Sequence, residues 1–334
     1  MPERRLTPRR SRLRRFAWVT VVVVAVAAGW FLIAPPGLPR HLPSPRPSTN
    51  YDTAIRRAEV LRSRDTEAIA SVCSLRLMTH GRPTPRVVVL LHGLSNCPQQ
   101  FDALGAILFG GGANVLIARF PHHGLANRMT DDMRHLTATE AVLFGDEVVD
   151  IARGLGDSVT VAGLSLGANV AAWIAQRRDD VDRVVVIAPV FGLHRVWPPL
   201  TSAMARLFLT LPNQFQWWDS KRRADLPGPP HVYPRFSTRA LGEILRLGLA
   251  VSWQARRAPP RAASILVVTV GGDAAINNEA ALAVARAWRK RAGDRVETYE
   301  FPRELGLGHD MVDPLQPYAR IDLVYPVLVK LMTP

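Results

Sequence analysis

From residue 70 onward the chain alternates short runs rich in Val, Ile and Leu with longer amphipathic stretches. Runs at 72–78, 87–91, 115–120, 159–164, 184–190, 265–270 and 296–301 predict strands. Several are apolar along their whole length, the pattern of a strand buried on both faces. Helices are expected over 51–66, 99–109, 138–153, 167–177, 278–291 and 318–331. Thr137 and Glu140, just ahead of the third helix's body, have the spacing of a capping box. Alternation of this kind predicts a mostly parallel sheet with helices on both faces.

One interval breaks the rhythm. Between Val190 and Ile265 no clear buried strand is found, and the stretch is rich in Trp, Phe, Leu and Met with prolines interspersed. It is too long for a loop in a compact domain. It reads as an inserted helical cap, at about 191–262, over the carboxyl edge of the sheet, where α/β folds place their ligands. Trp197, Trp217, Trp218 and Trp253 fit packing more readily than substrate contact.

The first fifty residues have a different pattern. Residues 16–34 hold no charged side chain over nineteen positions. As a helix they would span about 28 Å, close to the hydrocarbon thickness of a bilayer. Trp18 and Trp30 stand near the two ends, and residues 1–15 form a basic N-terminus with seven arginines against Glu3 alone. That asymmetry predicts a single-pass anchor in the cytoplasmic membrane, with the N-terminus inside and the body of the protein outside. The alternative is secretion after cleavage of a signal peptide at the small residues around 25–28, but signal cores typically run about 7–15 residues. Residues 35–50, dense in proline, read as an extended linker to a domain over 51–334.

The net charge of +14 therefore has a local source. No RNA- or DNA-binding motif accompanies it, so nucleic acid is not an expected partner. The two cysteines, Cys73 and Cys97, can form a disulfide if the domain is exported; two buried free thiols are the alternative. No Cys/His spacing suggests a metal site.

The candidate chemistry begins at Gly163-Leu164-Ser165-Leu166-Gly167, between an expected strand and an expected helix. Gly-x-Ser-x-Gly arises by chance in ordinary loops. Between a buried strand and a helix it is the signature of a nucleophile elbow. A serine hydroxyl needs a base, the base needs an acid to hold its tautomer, and the developing oxyanion needs amide donors. In an elbow enzyme the acid and then the histidine follow the serine in the chain. His309 lies directly after the last expected strand, whereas His231 lies in a proline-rich part of the cap. Asp273 ends the strand before, with Asp310 and Asp313 as rivals near the histidine. The amides of Leu166, next to the serine, and of Leu94, in the loop after residues 87–91, are the expected oxyanion donors. His92 is expected to be structural, because it precedes the nucleophile.

These residues together resemble the α/β-hydrolase family, over most of the chain from about Val72 onward. The stretches "LLHGLSNCPQQF", "FPHHGLANRMT", "GLSLGA", "VGGDAAINN" and "GLGHDMVDP" occur in that family's order. The cap and the last stretch resemble its capped carboxylesterase, monoacylglycerol-lipase and serine-aminopeptidase-like group. The resemblance implies an α/β-hydrolase fold with Ser165 as nucleophile, Asp273 as acid, His309 as base and no cofactor. One departure stands out: His122 occupies a position where the family usually has glycine. The expected activity is hydrolysis of a small-molecule or lipid-type ester through an acyl-enzyme. The same triad also serves thioesterases, peptidases and acyltransferases, and a non-catalytic binding module is the reading of a different class.

Overall fold

The computed structural model describes residues 15–23, 29, 37–39 and 42–333. The apolar runs become strands: β1 (Arg76–Met78), β2 (Thr84–Leu91), β3 (Asn114–Ala118), β4 (Gly156–Leu164), β5 (Arg183–Ile187), β8 (Ser264–Val270) and β9 (Val296–Phe301). They form one seven-stranded sheet in the order β1-β3-β2-β4-β5-β8-β9. Every neighbouring pair is parallel except β1 with β3 at the edge. β3 and β5 are buried at every position, as the unbroken apolar runs require. The run at 72–78 is only partly strand. Its first residues make a 3-10 turn over Ser71–Cys73, and Asp65 takes the Leu75 amide at 2.8 Å before β1 begins.

The helices α1 (Tyr51–Arg62), α2 (Asp102–Gly110), α3 (Ala138–Ala152), α4 (Leu166–Arg177), α7 (Asn278–Ala292) and α8 (Ile321–Met332) flank this sheet. The starts of α1, α3 and α7 are set by side chains that accept otherwise orphaned amides. Asn50 accepts from Thr53, and Asn277 accepts from Ala280. Thr137 accepts the Glu140 amide at 3.1 Å, which is half of the expected capping box. The other half is diverted, because the Glu140 carboxylate lies 3.3 Å from His122 Nε2.

The insertion between β5 and β8 divides in two. Residues up to about 237 form the cap, with helix α5 (Thr201–Thr210) and a two-stranded antiparallel pair, β6 (Phe215–Trp217) and β7 (Arg235–Ser237). The long helix that follows, α6 (Thr238–Ala255), is not cap in the same sense. It buries Ile244, Leu245, Leu247 and Val251 in the main core. The cap is therefore shorter than 191–262 and not purely helical. The buried stripe of α6 assigns it to the sheet's own layer.

The proline-rich stretch, expected as an extended linker, is bonded to the domain along its described part. From Leu42 it lies along the domain: the Arg46 amide reaches Asp150 Oδ2 at 2.7 Å, the Ser48 amide reaches the Asp150 carbonyl at 2.8 Å, and Arg57 grips the Arg46 carbonyl at 2.6 Å. Gly154 permits this approach, since a Cβ there would lie 2.6 Å from the Asn50 carbonyl oxygen. Residues 15–23 are helical. Most of the expected anchor at 16–34 and the basic residues 1–14 lie outside the described residues. Among the described residues no helix is long and apolar enough to cross a membrane.

Cys73 and Cys97 are joined in a disulfide, with Cα atoms 5.2 Å apart. The bond ties the turn before β1 to the loop after β2.

Candidate active site

β4 ends at Leu164 and α4 starts at Leu166, so Ser165 alone makes the corner. Its backbone has φ 59° and ψ −113°, a region that a residue with a Cβ adopts only when its surroundings force it. The surroundings are the two glycines. A Cβ at Gly163 would lie 2.2 Å from the Gly167 carbonyl oxygen, and one at Gly167 would lie 2.0 Å from that of Leu91. The Ser165 amide is bonded to the Ile187 carbonyl at 3.0 Å, and the Gly167 amide to the His92 carbonyl at 3.1 Å. The turn is thus clamped from both neighbouring strands. Its side chain is lifted above the sheet's carboxyl edge, which is the geometry of a nucleophile elbow.

Asp273 follows β8 after Gly271 and Gly272. One carboxylate oxygen accepts the amides of Ala275 at 2.7 Å and Ile276 at 3.3 Å; the other meets His309 Nδ1 at 2.6 Å. Burial raises the Asp273 pKa, but the bond and charge of His309 and the two amides outweigh it, so the group stays below the ordinary carboxylate range. For His309 burial disfavours the charged ring. The hydrogen bond to Asp273 and the charges of Asp273 and Asp310 more than offset that, leaving its pKa raised. Nδ1–H donates to Asp273, which leaves Nε2 as the ring's acceptor.

Ser165 and His309 line the same cavity of about 240 Å³. Its other walls are mostly apolar: Leu164, Ile244 and Ile276 from the domain, with Leu193, Trp218 and Phe236 from the insertion after β5. The Trp218 and Phe236 rings lie 4.3 Å apart. Of the four tryptophans singled out in the sequence, Trp218 is the one on this cavity; Trp197 and Trp253 are largely exposed elsewhere.

Leu94 also lines the cavity, beside Gly93, whose missing Cβ would stand 3.6 Å from the Ser165 Cβ. Leu166 opens α4, where helix geometry leaves amides without an intrahelical partner and the dipole favours negative charge. His92 is fully buried and spends both ring nitrogens on backbone, Nδ1 on the Gly93 carbonyl at 2.8 Å and Nε2 on the Phe120 amide at 3.1 Å. Burial holds its pKa well below the ordinary histidine value.

His122 adopts φ 64°, the left-handed conformation for which glycine is the easy choice. The loop keeps the turn that a glycine would allow, and the imidazole is held between Asp132 at 3.1 Å and Glu140 at 3.3 Å. It faces a different cavity, of about 300 Å³, from the one that holds Ser165.

Two groups of polar contacts were not legible in the sequence. Asp310, weighed as a rival acid, faces Asn96, Gln100 and Gln316 rather than the imidazole of His309. Asp313 and His231, the other rivals, bond to each other at 3.0 Å. Among the described residues no cluster of His, Cys, Asp and Glu could hold a metal ion.

Residues 88–321 match the alpha/beta hydrolase family, and the chain belongs to that family. Among curated proteins no sequence matches it. Solved structures with the same fold include the monoacylglycerol lipase of Paleococcus ferrophilus, 18% identical, with a TM-score of 0.59 over 77% of this chain and 97% of that one. A structure from work on the metagenome-derived lipolytic enzymes LipS and LipT is 14% identical, with a TM-score of 0.57 over 79% of this chain and 98% of the other. A soluble variant of the monoglyceride lipase of Saccharomyces cerevisiae is 14% identical, with a TM-score of 0.52 over 78% and 91%. At these identities the likeness is one of fold.

Proposed function

We propose that the protein is a membrane-anchored serine hydrolase of carboxylic esters. Ser165 Oγ attacks the ester carbonyl while His309 Nε2 takes its proton, and Asp273 holds the imidazole and the charge it gains. The oxyanion is received by the amides of Leu94 and Leu166. His309 returns the proton to the departing alcohol, leaving an acyl group on Ser165. Water, deprotonated by the same ring, then releases the acid. The observation that carries this reading is a serine at a strained elbow sharing one cavity with an aspartate-bound histidine.

The apolar lining supports an acyl or other hydrophobic group on the substrate. The volume lies just below the roughly 300–1,000 Å³ of sites for drug-sized ligands, which favours a compact one. An aminopeptidase would need a free carboxylate for the substrate's ammonium. Asp310 is the acid on the cavity wall, and both its oxygens are taken by side-chain amides, which favours the ester reading. The placement outside the cytoplasmic membrane rests on the arginine-flanked apolar segment. The Cys73–Cys97 disulfide supports it, since such bonds persist in oxidising compartments.

The test is hydrolysis of p-nitrophenyl esters from acetyl to palmitoyl by the full chain in detergent, beside Ser165→Ala. Loss of kcat on the order of 10⁴-fold or more is expected for the variant, with the short and medium esters preferred. Undiminished turnover by Ser165→Ala rejects the nucleophile. A folded wild type that neither turns over any ester nor is labelled at Ser165 by a fluorophosphonate leaves the binding-module reading.

A further inference from the structure

The loop that carries Leu94 and the loop that carries His309 come from opposite ends of the chain, yet one carboxylate joins them. Asp310 Oδ1 accepts Gln100 Nε2 at 2.5 Å, and Oδ2 accepts Asn96 Nδ2 at 2.8 Å and Gln316 Nε2 at 2.7 Å. Gln100 passes the contact on, because its Oε1 accepts the Gly93 amide at 2.8 Å. The Gly93 carbonyl is engaged as well, by His92 Nδ1 at 2.8 Å and by the Asn96 amide at 3.2 Å. In a trans peptide the C=O and the N–H point in opposite directions. Fixing the Gly93 carbonyl therefore aims the Leu94 N–H away from His92 and Asn96.

We propose that Asp310 is a positioning residue that holds the oxyanion loop in register with His309, through Gln100 to the Gly93 peptide and through Asn96 to the loop's far end. This rests on the triad reading above and assigns a role to a residue beside it. Among the described residues three side-chain amides donate to the carboxylate and no cation pairs with it, so an acid adjoining the histidine is engaged away from the imidazole. Backbone adjacency to His309 makes Asp310 part of the base's own loop. A side chain on that loop that also reaches the oxyanion loop sets the distance between base and oxyanion donors, the quantity preorganisation depends on. Asp310 acts on the base in a second way, because its charge is among those that raise the His309 pKa. Burial and Asp313 push Asp310's own pKa up to about 6, against the opposing pull of Gln100 and Gln316.

The experiment compares Asp310→Asn, Gln100→Leu and Ser165→Ala in the full chain, on p-nitrophenyl butyrate, with circular dichroism to establish folding. Asp310→Asn is expected to lower kcat by about 10- to 100-fold, less than the ~10²–10³ of deleting an oxyanion donor outright, with KM changed by less than about threefold. The acid limb of its kcat/KM profile should move to lower pH, because a negative charge near His309 is gone. Gln100→Leu keeps the carboxylate and removes the relay to Gly93 together with one of the donors to Asp310, so its kcat should fall while the acid limb moves less than in Asp310→Asn. A folded Gln100→Leu within about twofold of wild-type kcat overturns the proposal, and so does a folded Asp310→Asn with unchanged kcat and pH profile. If Asp310→Asn does not fold, Gln100→Leu decides alone. An active Ser165→Ala would instead reject the triad; an inactive Ser165→Ala beside fully active Asp310→Asn and Gln100→Leu rejects this inference only.

Discussion

His309–Asp273 and His231–Asp313 are built from the same two residue types at 2.6 and 3.0 Å, and Asp313 stands only four residues from His309. What separates them is access. The His309 side chain is 24% exposed and stands on the cavity wall with Ser165, whereas His231 and Asp313 are sealed at 2% and 0%. The sealed pair joins the cap to the loop after His309. Beside it the Tyr233 amide bonds to the Ser95 carbonyl at 2.8 Å, and Arg128 holds the carbonyls of Val232, Leu226 and Pro227. One pair is free to exchange a proton with a bound molecule, and the other is used up in holding the cap down. A histidine–aspartate contact is thus evidence of catalysis only where a nucleophile and open space adjoin it.

The comparison breaks most visibly at the acids. Asp273→Asn should lower kcat on the order of 10⁴-fold while leaving the fold intact, because the wrong tautomer is then presented to Ser165. Ester turnover and a melting curve measured together check this, and a loss of stability without loss of turnover would reverse the assignment of the two pairs. The effect of the other pair should be smaller and of another kind. Asp313→Asn or His231→Ala should cost about 1–3 kcal/mol of stability, by leaving a buried hydrogen-bonding group unsatisfied, and denaturant unfolding reads it directly. Fluorophosphonate labelling of Ser165 should persist in both variants.

The smallest effect sharpens the comparison through pH. His309 must be neutral to act as a base, and its pKa is raised, so kcat/KM should fall as pH drops through a value above the ordinary ~6.5 of histidine. A pH–rate profile with its acid limb at or below the ordinary value would contradict the strength assigned to the Asp273 contact. The stability contribution has the opposite sign. A raised folded-state pKa stabilises the protein fully below the unfolded value, and that gain is lost as pH rises through the folded one. Asp273, held low, contributes above its unfolded value and loses that contribution as pH falls through its folded one. Both contributions are present together only between the unfolded values of the aspartate and the histidine, about 4 and about 6.5, so the ion pair is most stabilising in that mildly acidic window, where the imidazole is least able to act as a base.

The sheet was readable because its central strands are buried on both faces, and continuous apolar runs such as 184–187 have few other uses. The family was readable for a related reason. The elbow, the aspartate turn and the histidine loop each follow a strand, so their order in the chain carries over to one edge of the sheet, and the family match over 88–321 agrees with that resemblance. The cap boundary was harder. α6 and the cap share an apolar, Trp- and Leu-rich composition, and only packing shows that α6 belongs to the core layer. The proline-rich stretch was legible only as an extended segment. Proline density reports the absence of helix and sheet, and says nothing of whether an extended strap is bonded down, as Asp150 bonds Arg46 and Ser48.

The sequence by itself determined the α/β architecture, the strand-to-helix corner at Ser165 and the chain order of the candidate acid and base, because each depends on local periodicity or on spacing from a strand. Tertiary structure alone decided which carboxylate meets which histidine. Asp273, Asp310 and Asp313 are all close to the histidine in sequence or topology. They part company only when Gln100, Asn96 and Gln316 close around one, His231 descends from the cap onto another, and His309 turns to the third. Side-chain direction at the end of a strand is set largely by contacts distant in the chain, 36 residues for Asp273 with His309, 82 for Asp313 with His231 and 214 for Asp310 with Asn96, and no local pattern encodes it.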